Sequence, residues 1–304
     1  MNSPPLVAVD WGSTNLRVKL VVDGRVAAQR ETPDGIRSRG DRSFESILAA
    51  ACGSWREEFP GIRVLMSGMI GSREGWCEAP YAAAPAGAEE LSARLVPLAS
   101  EAFGPMVVVP GLRWDDPTTG LTDVMRGEET QLVGLMAALP SAGAAVCLPG
   151  THSKWAVCRH GRIERFRTWM TGEVFEVLSR GTLISGSGGS ADASSPAFRR
   201  GLEISGVAGG LSHQLFLART EMLAGRAASA ELPSLVSGIL IGHELREARV
   251  FAGDLPVVLF GDSPAAAAAA AALHGLGTPF QRIREDRHVP GILALAGANP
   301  PPLR

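Results

Sequence analysis

A carboxylate, Asp10, is followed by small polar residues near the start of the chain (DWGSTN). A carboxylate at a strand end can hold Mg²⁺, usually through water, because this ion keeps its hydration shell. Gly12 lets backbone N–H groups approach phosphate oxygens closely. Side-chain donors follow at Ser13, Thr14 and Asn15. The segment therefore favours a phosphate site with Asp10 as its metal-binding residue, and an ordinary polar turn is the alternative.

A second turn of this type lies near the middle of the chain, in the string LPGTHSK. Gly150 can again expose backbone donors, and hydroxyls follow at Thr151 and Ser153. Lys154 supplies a mobile cation suited to a transferred phosphoryl group, and it is one of only two lysines among 29 basic residues. The turn favours a second phosphate site over a hairpin loop with a solvated lysine.

A third candidate, Gly261-Asp262-Ser263, stands between a predicted strand and an alanine-rich helix. Asp262 or Ser263 can cap that helix, and Pro264 suits its first turn. A helix N-terminus behind a glycine turn also suits the ribose or phosphates of a nucleotide. The segment is a candidate nucleotide site, with capping alone as the alternative.

Two adjacent carboxylates, Glu128 and Glu129, begin a predicted helix in the string MRGEETQ. The helix dipole favours negative charge there, which is good capping by itself. One carboxylate could also accept the proton of an attacking hydroxyl. Adjacent helix residues point about 100° apart, so only one should face a given site.

A loop rich in glycine and serine follows another predicted strand, in the string SGMIGSREGW. Such a loop beside an aromatic side chain suits a hydroxylated substrate, and a surface loop over a small core cluster is the alternative. The candidate substrate-binding residues here are Ser67, Gly68, Met69, Gly71, Ser72 and Trp76.

The elements that must position these residues follow a repeated pattern. Apolar and β-branched runs predict strands at Leu6–Asp10, Leu16–Val22 and Arg25–Arg30, and again at Ala144–Leu148, Lys154–Arg159 and Arg162–Thr168. In each copy a polar glycine turn precedes the second strand and a tight hairpin precedes the third. The two copies predict an internal duplication with two similar lobes.

Further elements are predicted between and after the two copies. Strands are expected at 62–66, 106–109 and 256–260, and helices at 126–139, 208–218, 235–248, 264–273 and 290–298. The spacing of Leu132, Leu135, Met136 and Leu139 supports the first of these helices, which could bridge the lobes.

Composition narrows the class of protein. The chain has 304 residues, a hydrophobic fraction of 45% and a formal net charge of -2, which argues against nucleic-acid or membrane-surface partners. No apolar run reaches the ~18 residues of a membrane span. The four cysteines have neither zinc spacing nor a C-x-x-C pair, so reduced thiols in a cytoplasmic protein are expected.

Five strings in this order resemble the 2-dehydro-3-deoxygalactonokinase family over most of the chain: VDWGSTNLR, SGMIGSREGW, MRGEETQLVG, LPGTHSKW and FRTWMTGE. Asp10–Asn15 resembles the first phosphate motif of the superfamily of actin, heat-shock chaperones and sugar kinases, and Gly150–Lys154 resembles the second. Gly261–Ser263 resembles a degenerate adenosine motif, in which Phe260 stands where the superfamily often has glycine.

The resemblance implies an α/β fold of two ribonuclease-H-like lobes, of the actin-like ATPase type, around a cleft for ATP and Mg²⁺. The expected lobes are residues 1–139, with the first phosphate motif, sugar-acid site and bridging helix, and residues 140–304, with the second phosphate and adenosine motifs. The last helix could return to the first lobe. The implied reaction is transfer of the γ-phosphoryl group to the 6-hydroxyl of 2-dehydro-3-deoxy-D-galactonate in bacterial galactonate catabolism.

The resemblance also bears on the general base. Related sugar kinases carry a catalytic aspartate at the start of the bridging helix. Alignment on the glycine before that aspartate places Glu128 there, whereas alignment on Gly134 places Gly127 there. Both Glu128 and Glu129 therefore remain candidates.

A sugar acid also needs a cationic partner for its carboxylate. Because lysine is so scarce, arginine is the expected supplier, and Arg126 beside the base is the first candidate, ahead of Arg73 and Arg167. The alternatives are a kinase for another sugar or sugar acid, and a non-catalytic nucleotide-binding scaffold of the same fold. The oligomeric state, with a homodimer as one possibility, is not determined by the sequence.

Overall fold

The structure is a computed structural model that describes residues 4–187 and 189–297. The described chain divides into two compact units. Unit 1 comprises residues 4–139, 159–165 and 286–297, and unit 2 comprises residues 140–158 and 166–285 apart from 188. The predicted end of the last helix, at residue 298, and the rest of the chain to residue 304 lie outside the described residues.

Each unit begins with three consecutive strands, and helices and further strands follow. The strands are β1 Leu6–Trp11, β2 Leu16–Val22, β3 Arg25–Thr32, β4 Arg63–Gly68, β5 Ala82–Ala83, β6 Ala86–Gly87, β7 Val96–Ser100, β8 Gly104–Val108, β9 Leu112–Asp115, β10 Thr122–Met125, β11 Ala144–Leu148, β12 Ser153–Arg159, β13 Arg162–Trp169, β14 Val257–Phe260 and β15 Phe280–Ile283. The helices are α1 Phe44–Glu58, α2 Ala88–Ser92, α3 Glu128–Leu135, α4 Thr171–Leu178, α5 Pro196–Ile204, α6 Gly210–Leu223, α7 Leu232–Ala252, α8 Pro264–Gly275 and α9 His288–Gly297.

The main sheet of unit 1 has the order β3-β2-β1-β4-β8-β7. β1 is antiparallel to β2 and parallel to β4, and β4 is parallel to β8. Alternate apolar residues of β1, such as Val9 and Trp11, are buried in a core that also contains Leu48 and Trp55 of α1. Because β1 and β4 are parallel neighbours, their carboxyl ends lie side by side at one edge of the sheet.

The sheet of unit 2 contains the order β15-β14-β11-β12-β13. β11 is antiparallel to β12 and parallel to β14, and β14 is parallel to β15. Five strands correspond between the two sheets: β3-β2-β1-β4-β8 in the first and β13-β12-β11-β14-β15 in the second. Numbered along the chain within each set, both orders are 3-2-1-4-5. The shared order confirms the predicted α/β fold of two ribonuclease-H-like units.

The last helix, α9, belongs to unit 1 and lies against α3. A Cβ on Gly134 would lie 2.0 Å from the carbonyl oxygen of Arg287, and one on Gly291 would lie 2.0 Å from that of Thr130. Only glycine at both positions allows this approach of the two backbones. The helix predicted to continue through Leu139 ends as an α-helix at Leu135, and a 3₁₀ turn over Met136–Ala138 follows.

Candidate active site

The predicted metal-binding residue, Asp10, is the next-to-last residue of β1, and its side chain is 26% exposed. Its Oδ2 lies 3.4 Å from Nη1 of Arg17. In the turn that follows, the N–H of Gly12 donates to the carbonyl of Asn15 (2.9 Å), and the Asn15 amide donates to Glu31 (3.1 Å). Two of the predicted phosphate donors are therefore used inside the hairpin, and the Asp10 carboxylate remains accessible.

A second loop holds this turn from outside. The N–H groups of Gly35 and Arg37 donate to the carbonyls of Thr14 (3.0 Å) and Ser13 (3.1 Å). A Cβ on Gly35 would lie 2.3 Å from the Ser13 carbonyl, so only glycine permits the contact. The backbone at Ser13 and Thr14 is thus fixed through its carbonyls, while the Thr14 residue is exposed.

The glycine and serine loop meets Asp10 at the end of β4. Asp10 pairs in register with Ser67, and Trp11 pairs with Gly68. Gly68 has φ 92°, and a Cβ there would lie 2.7 Å from the Trp11 carbonyl oxygen and 3.4 Å from Oδ1 of Asp10. Gly127 has φ 107°, and its Cβ would lie 3.3 Å from the Cα of Gly68. Asp10, this loop and the start of α3 therefore form one site.

The two glutamates at the start of α3 lie in different environments. Glu128 is partly exposed, and its Oε2 accepts from the backbone N–H of Arg126 at 3.2 Å. Glu129 is fully buried and accepts from the Gly127 N–H (2.6 Å) and the Thr130 hydroxyl (3.0 Å). Burial, and then the charge of Glu128, raises the pKa of Glu129 to about 8. Glu129 therefore favours the protonated form at neutral pH.

Arg126 is held beside the same loop. Its Nη2 donates to the Ala79 carbonyl at 2.8 Å, and its guanidinium lies 4.4 Å over the Tyr81 ring. A Cβ on Gly71 would lie 2.8 Å from Nη1. Within the described part of the chain, Nε and Nη1 of Arg126 are buried and have no hydrogen-bond partner. Buried donors without partners cost free energy, so this side chain is prepared for an acceptor.

The other predicted substrate residues of this loop differ in how deeply they are buried. Gly71 is buried at the end of the 3₁₀ helix, and Met69 is half-buried. The Ser72 hydroxyl is buried and finds no partner among residues 4–187 and 189–297. Trp76 is half-buried and stacks on Phe44, with 6.2 Å between ring centroids. These four positions remain predicted substrate contacts.

The two secondary arginine candidates have other partners. Arg73 is exposed and pairs with Glu78 at 3.1 Å. Arg167 belongs to unit 2, where its guanidinium lies 4.7 Å from the Phe251 ring. Of the three, Arg126 is therefore the arginine whose buried guanidinium nitrogens lie against the glycine and serine loop of unit 1.

Sequence analysis did not identify His288, the first residue of α9. This side chain is 2% exposed, and its Nε2 lies 2.8 Å from the hydroxyl of Ser67, which is itself fully buried. The hydroxyl of Ser67 is thus used inside unit 1. The local sequence around Ser67 gave no indication that its hydroxyl bonds to His288, which lies 221 positions away.

The second predicted phosphate turn lies in unit 2, between β11 and β12. Ser153 is the first residue of β12 and is 3% exposed, and its hydroxyl lies 3.5 Å from the Gly150 N–H. The buried carboxylate of Glu244 accepts from Thr171, from the Trp155 indole (3.0 Å) and from Ser153. Burial raises the pKa of Glu244, and these three donors lower it. Glu244 therefore anchors the base of the turn.

Lys154 and Thr151 differ in exposure. Lys154 is 5% exposed, and its Nζ donates to the His152 carbonyl at 3.2 Å. Thr151 is exposed, and its carbonyl accepts from the Glu173 N–H at 3.0 Å. A Cβ on Gly172 would lie 2.5 Å from the Gly150 carbonyl oxygen, so the start of α4 packs directly on the turn.

A cavity of about 320 Å³ opens beside this turn. Its wall is formed by the turn, the start of α4, the middle of α7 and the first turns of α8: Pro149, Gly150, Ser153, Thr171, Gly172, Phe175, Ser190, Ala191, Ser237, Leu240, Ile241, Glu244, Pro264, Ala265, Ala268 and Ala269. Small apolar residues with a few polar groups are typical of ligand sites.

The predicted adenosine motif stands at the edge of that cavity. Gly261 has φ 107° and donates to the Ile283 carbonyl at 2.8 Å. The Ser263 hydroxyl accepts from the Ala266 N–H at 3.2 Å and caps α8, as predicted. Asp262 accepts from Arg282 and Arg284, at 3.1 Å each. The cavity wall begins one residue later, at Pro264, so a nucleotide role for 261–263 remains a prediction.

No group of three or more metal-binding side chains occurs among residues 4–187 and 189–297. A Mg²⁺ ion bound with a nucleotide needs only one or two carboxylates, because phosphates and water fill its other positions. The single accessible carboxylate of Asp10 fits this requirement. In the same described residues, no helix is both long and apolar enough to span a membrane.

The strand order of the two units is that of the actin-like ATPase fold, and a family match makes the chain a sugar-acid kinase. The model of the family described as 2-keto-3-deoxy-galactonokinase matches residues 10–295, and the chain belongs to this family.

Named relatives agree with that membership. A Rhizobium meliloti protein assigned as a 2-dehydro-3-deoxygalactonokinase is 34% identical over 297 residues, which cover 95% of each chain. The 2-dehydro-3-deoxygalactonokinase of Escherichia coli is 35% identical over 245 residues, which cover 80% of each. A solved structure assigned to the same activity, from Sinorhizobium meliloti, matches with a TM-score of 0.86 and 31% identity, covering 96% of this chain and 97% of that one.

Proposed function

We propose that this protein is an ATP-dependent kinase that phosphorylates the 6-hydroxyl of 2-dehydro-3-deoxy-D-galactonate in galactonate catabolism. The observation that carries the proposal is the meeting of Asp10, the start of α3 and the Arg126 side chain at one sheet edge. A pure nucleotide clamp has no need of a buried arginine with unmet donors beside a glutamate. Membership of the family supports the choice of substrate.

Nucleotide-binding residues are proposed in each unit by itself: in the turn after Asp10 of unit 1, and around the Gly150 turn of unit 2. The cavity beside Gly150 has room and apolar surface for part of a nucleotide. The proposed contacts are Gly12, Ser13, Thr14, Asn15, Gly150, Thr151, Ser153, Lys154, Gly261, Asp262 and Ser263. Because Ser153 donates to Glu244, its oxygen acts as a fixed part of the turn.

Mg²⁺ is assigned to Asp10, through water. The ion would neutralise charge on the phosphates of ATP. Asp10 is suited to this role because its carboxylate is accessible and lies beside the glycine and serine loop that is proposed to bind the sugar acid.

Glu128 is the proposed base. It accepts the proton of the 6-hydroxyl as that oxygen forms its bond to the γ-phosphorus, and the bond from phosphorus to the β–γ bridging oxygen breaks to release ADP. Glu129 is less suited to the role because it is fully buried, so a substrate hydroxyl has no access to its carboxylate. The difference in burial supports the choice of Glu128 over Glu129 as the proposed base.

Arg126 is the proposed partner of the substrate carboxylate. We expect Arg126→Lys to raise KM for the sugar acid at least about tenfold, with a small change in kcat, because lysine cannot reproduce several directed N–H donors. Steady-state kinetics with sugar acid varied at saturating ATP measures this. Arg73→Lys is the control, since Arg73 is exposed and pairs with Glu78. An unchanged KM in Arg126→Lys would remove this arginine from recognition.

A coupled assay of ADP release tests the whole proposal. The panel contains 2-keto-3-deoxy acids that differ in configuration and in chain length, together with neutral sugars. We expect turnover that depends on the acid and is highest with the galactonate-derived substrate. Higher turnover with another sugar acid would identify that acid as the substrate. A rate of ADP release that is the same with and without every sugar tested would favour a nucleotide-binding scaffold.

We also assign the protein to the cytoplasm. The four cysteines, Cys52, Cys77, Cys147 and Cys158, are free, which agrees with a reducing compartment.

A further inference from the structure

The start of α9 reaches the end of β4 through a buried pair. Nε2 of His288 lies 2.8 Å from the Ser67 hydroxyl, and the two side chains are 2% and 0% exposed. Among the described residues, Nδ1 of His288 is buried and has no hydrogen-bond partner. A hydrogen bond between two fully buried side chains that are far apart in sequence fixes the elements that carry them.

The backbone at the start of α9 is fixed by groups around it. The backbone N–H of His288 donates to Oδ1 of Asp286 at 2.9 Å, and the other oxygen of Asp286 pairs with Lys19 of β2. Gln131 of α3 accepts from the Arg287 N–H at 3.0 Å. These contacts fix the first turn of α9 to β2 and to α3, so the backbone that carries the His288 ring is held beside Ser67.

The pKa of His288 is lowered from its ordinary value, chiefly by burial. The charges of Lys19 and Arg17 lower it further, and those of Asp10 and Asp286 raise it. The ring is therefore neutral, with one donor and one acceptor nitrogen. A neutral ring can hold a serine hydroxyl without adding a positive charge beside Asp10.

The pair stands directly behind the residues assigned to the reaction. Ser67 is the strand neighbour of Asp10. The next residue, Gly68, lies close to both Asp10 and Gly127: a Cβ on Gly68 would lie 3.4 Å from Oδ1 of Asp10, and one on Gly127 would lie 3.3 Å from the Cα of Gly68. Gly127 precedes Glu128. A shift of the β4 end would therefore move the metal-binding carboxylate and the base together.

We propose that His288 is a positioning residue for phosphoryl transfer, holding the Ser67–Gly68 end of β4 so that Asp10 and Glu128 keep their places. This inference rests on the proposed function. Displacements of about 1 Å at a reaction centre can cost about 100-fold in rate even when the mutated residue touches no substrate. The expected loss in kcat is therefore roughly 10- to 100-fold.

The chain offers a matched control in Ser92 of α2. Its hydroxyl is also fully buried and also donates to α9, at the Leu295 carbonyl (2.9 Å), at the opposite end of that helix. Ser67→Ala and Ser92→Ala each remove one buried serine contact to the same helix. Only Ser67 adjoins the proposed site.

The test measures kcat, both KM values and melting temperature for Ser67→Ala, Ser92→Ala, His288→Ala and His288→Gln. We expect Ser67→Ala and His288→Ala to lose kcat roughly 10- to 100-fold with KM for ATP nearly constant. His288→Gln should recover part of the loss, because its amide can reach the serine. Ser92→Ala should lower the melting temperature and leave kcat within about twofold.

Two outcomes would overturn the proposal. One is normal kcat in Ser67→Ala and in His288→Gln, and the other is an equal loss of kcat in Ser92→Ala at an equal change in melting temperature. If His288→Ala does not fold, Ser67→Ala and His288→Gln still decide. Failure of the proposed function is distinct, because the wild-type protein would then fail to phosphorylate the sugar acid in the same assay.

Discussion

Glu128→Gln is expected to lower kcat by at least about two decades, with both KM values nearly constant. A base that accepts the hydroxyl proton contributes ~10² to 10⁴-fold, and glutamine keeps the size of the side chain while removing that capacity. Glu128 is partly exposed at the helix start, beside the loop that meets Asp10. The measurement is steady-state kinetics at saturating ATP and sugar acid, with melting temperature to establish that the variant is folded.

Glu129→Gln is the matched control, since the same chemical change is made one residue away. We expect near-normal kcat and an altered dependence of stability on pH. Because the pKa of Glu129 is raised to about 8 in the folded protein, its contribution to stability is full below its ordinary pKa and is lost as pH rises toward 8. Between pH 5 and 8 the free energy of unfolding of the wild type should fall by roughly 3 kcal/mol more than that of Glu129→Gln.

The pair of variants separates the two glutamates. A large loss of kcat in Glu129→Gln with normal kcat in Glu128→Gln would reverse the assignment. Two variants with near-normal kcat would remove the helix start from proton transfer and direct attention to Asp115, Asp116 and Asp123 upstream.

Asp10→Ala is expected to abolish measurable turnover while the protein stays folded. The carboxylate is the proposed anchor of Mg²⁺, and metal stabilisation of a transferring phosphoryl group is worth several kcal/mol, which corresponds to about three decades in rate. Asp10→Asn should keep a residual turnover about three decades below that of the wild type, with a milder change in packing, and should need more Mg²⁺ for half-maximal activity. Kinetics over a Mg²⁺ series measures both effects.

Glu31→Gln is the control for Asp10, because Arg17 pairs with Glu31 (3.0 Å) as well as with Asp10. Glutamine at position 31 weakens that ion pair, and its amide oxygen can still accept from Asn15. We expect activity within about twofold of wild type. Wild-type turnover and Mg²⁺ dependence in Asp10→Asn would show that the first phosphate assignment is wrong.

Local pattern was enough to predict the strands that present the motifs. β2 has the predicted bounds, and β1 extends by one residue to Trp11. Alternation of buried and exposed side chains is a local property, so it survives in the fold. The repeated turn and hairpin also predicted the duplication, which the shared strand order confirms.

Local pattern was less successful for helices. α1, Phe44–Glu58, was not predicted, although Ser43 caps it and its buried residues have helical spacing. α7 was predicted from Leu235 to Ala248, but it runs from Leu232 to Ala252. Helix ends depend on caps and on packing partners from other elements, which periodicity alone does not reveal.

The sequence by itself determined the residue types and the turns: a carboxylate after a strand, two glycine turns and a pair of glutamates at a helix start. Tertiary structure decided which of those glutamates is accessible, because burial depends on what packs against the helix. It also placed His288 within hydrogen-bond distance of Ser67, and the buried Glu244 within hydrogen-bond distance of Ser153 in the Gly150 turn. Those contacts link residues 221 and 91 positions apart (244 − 153), a distance over which composition and spacing carry no information about neighbours.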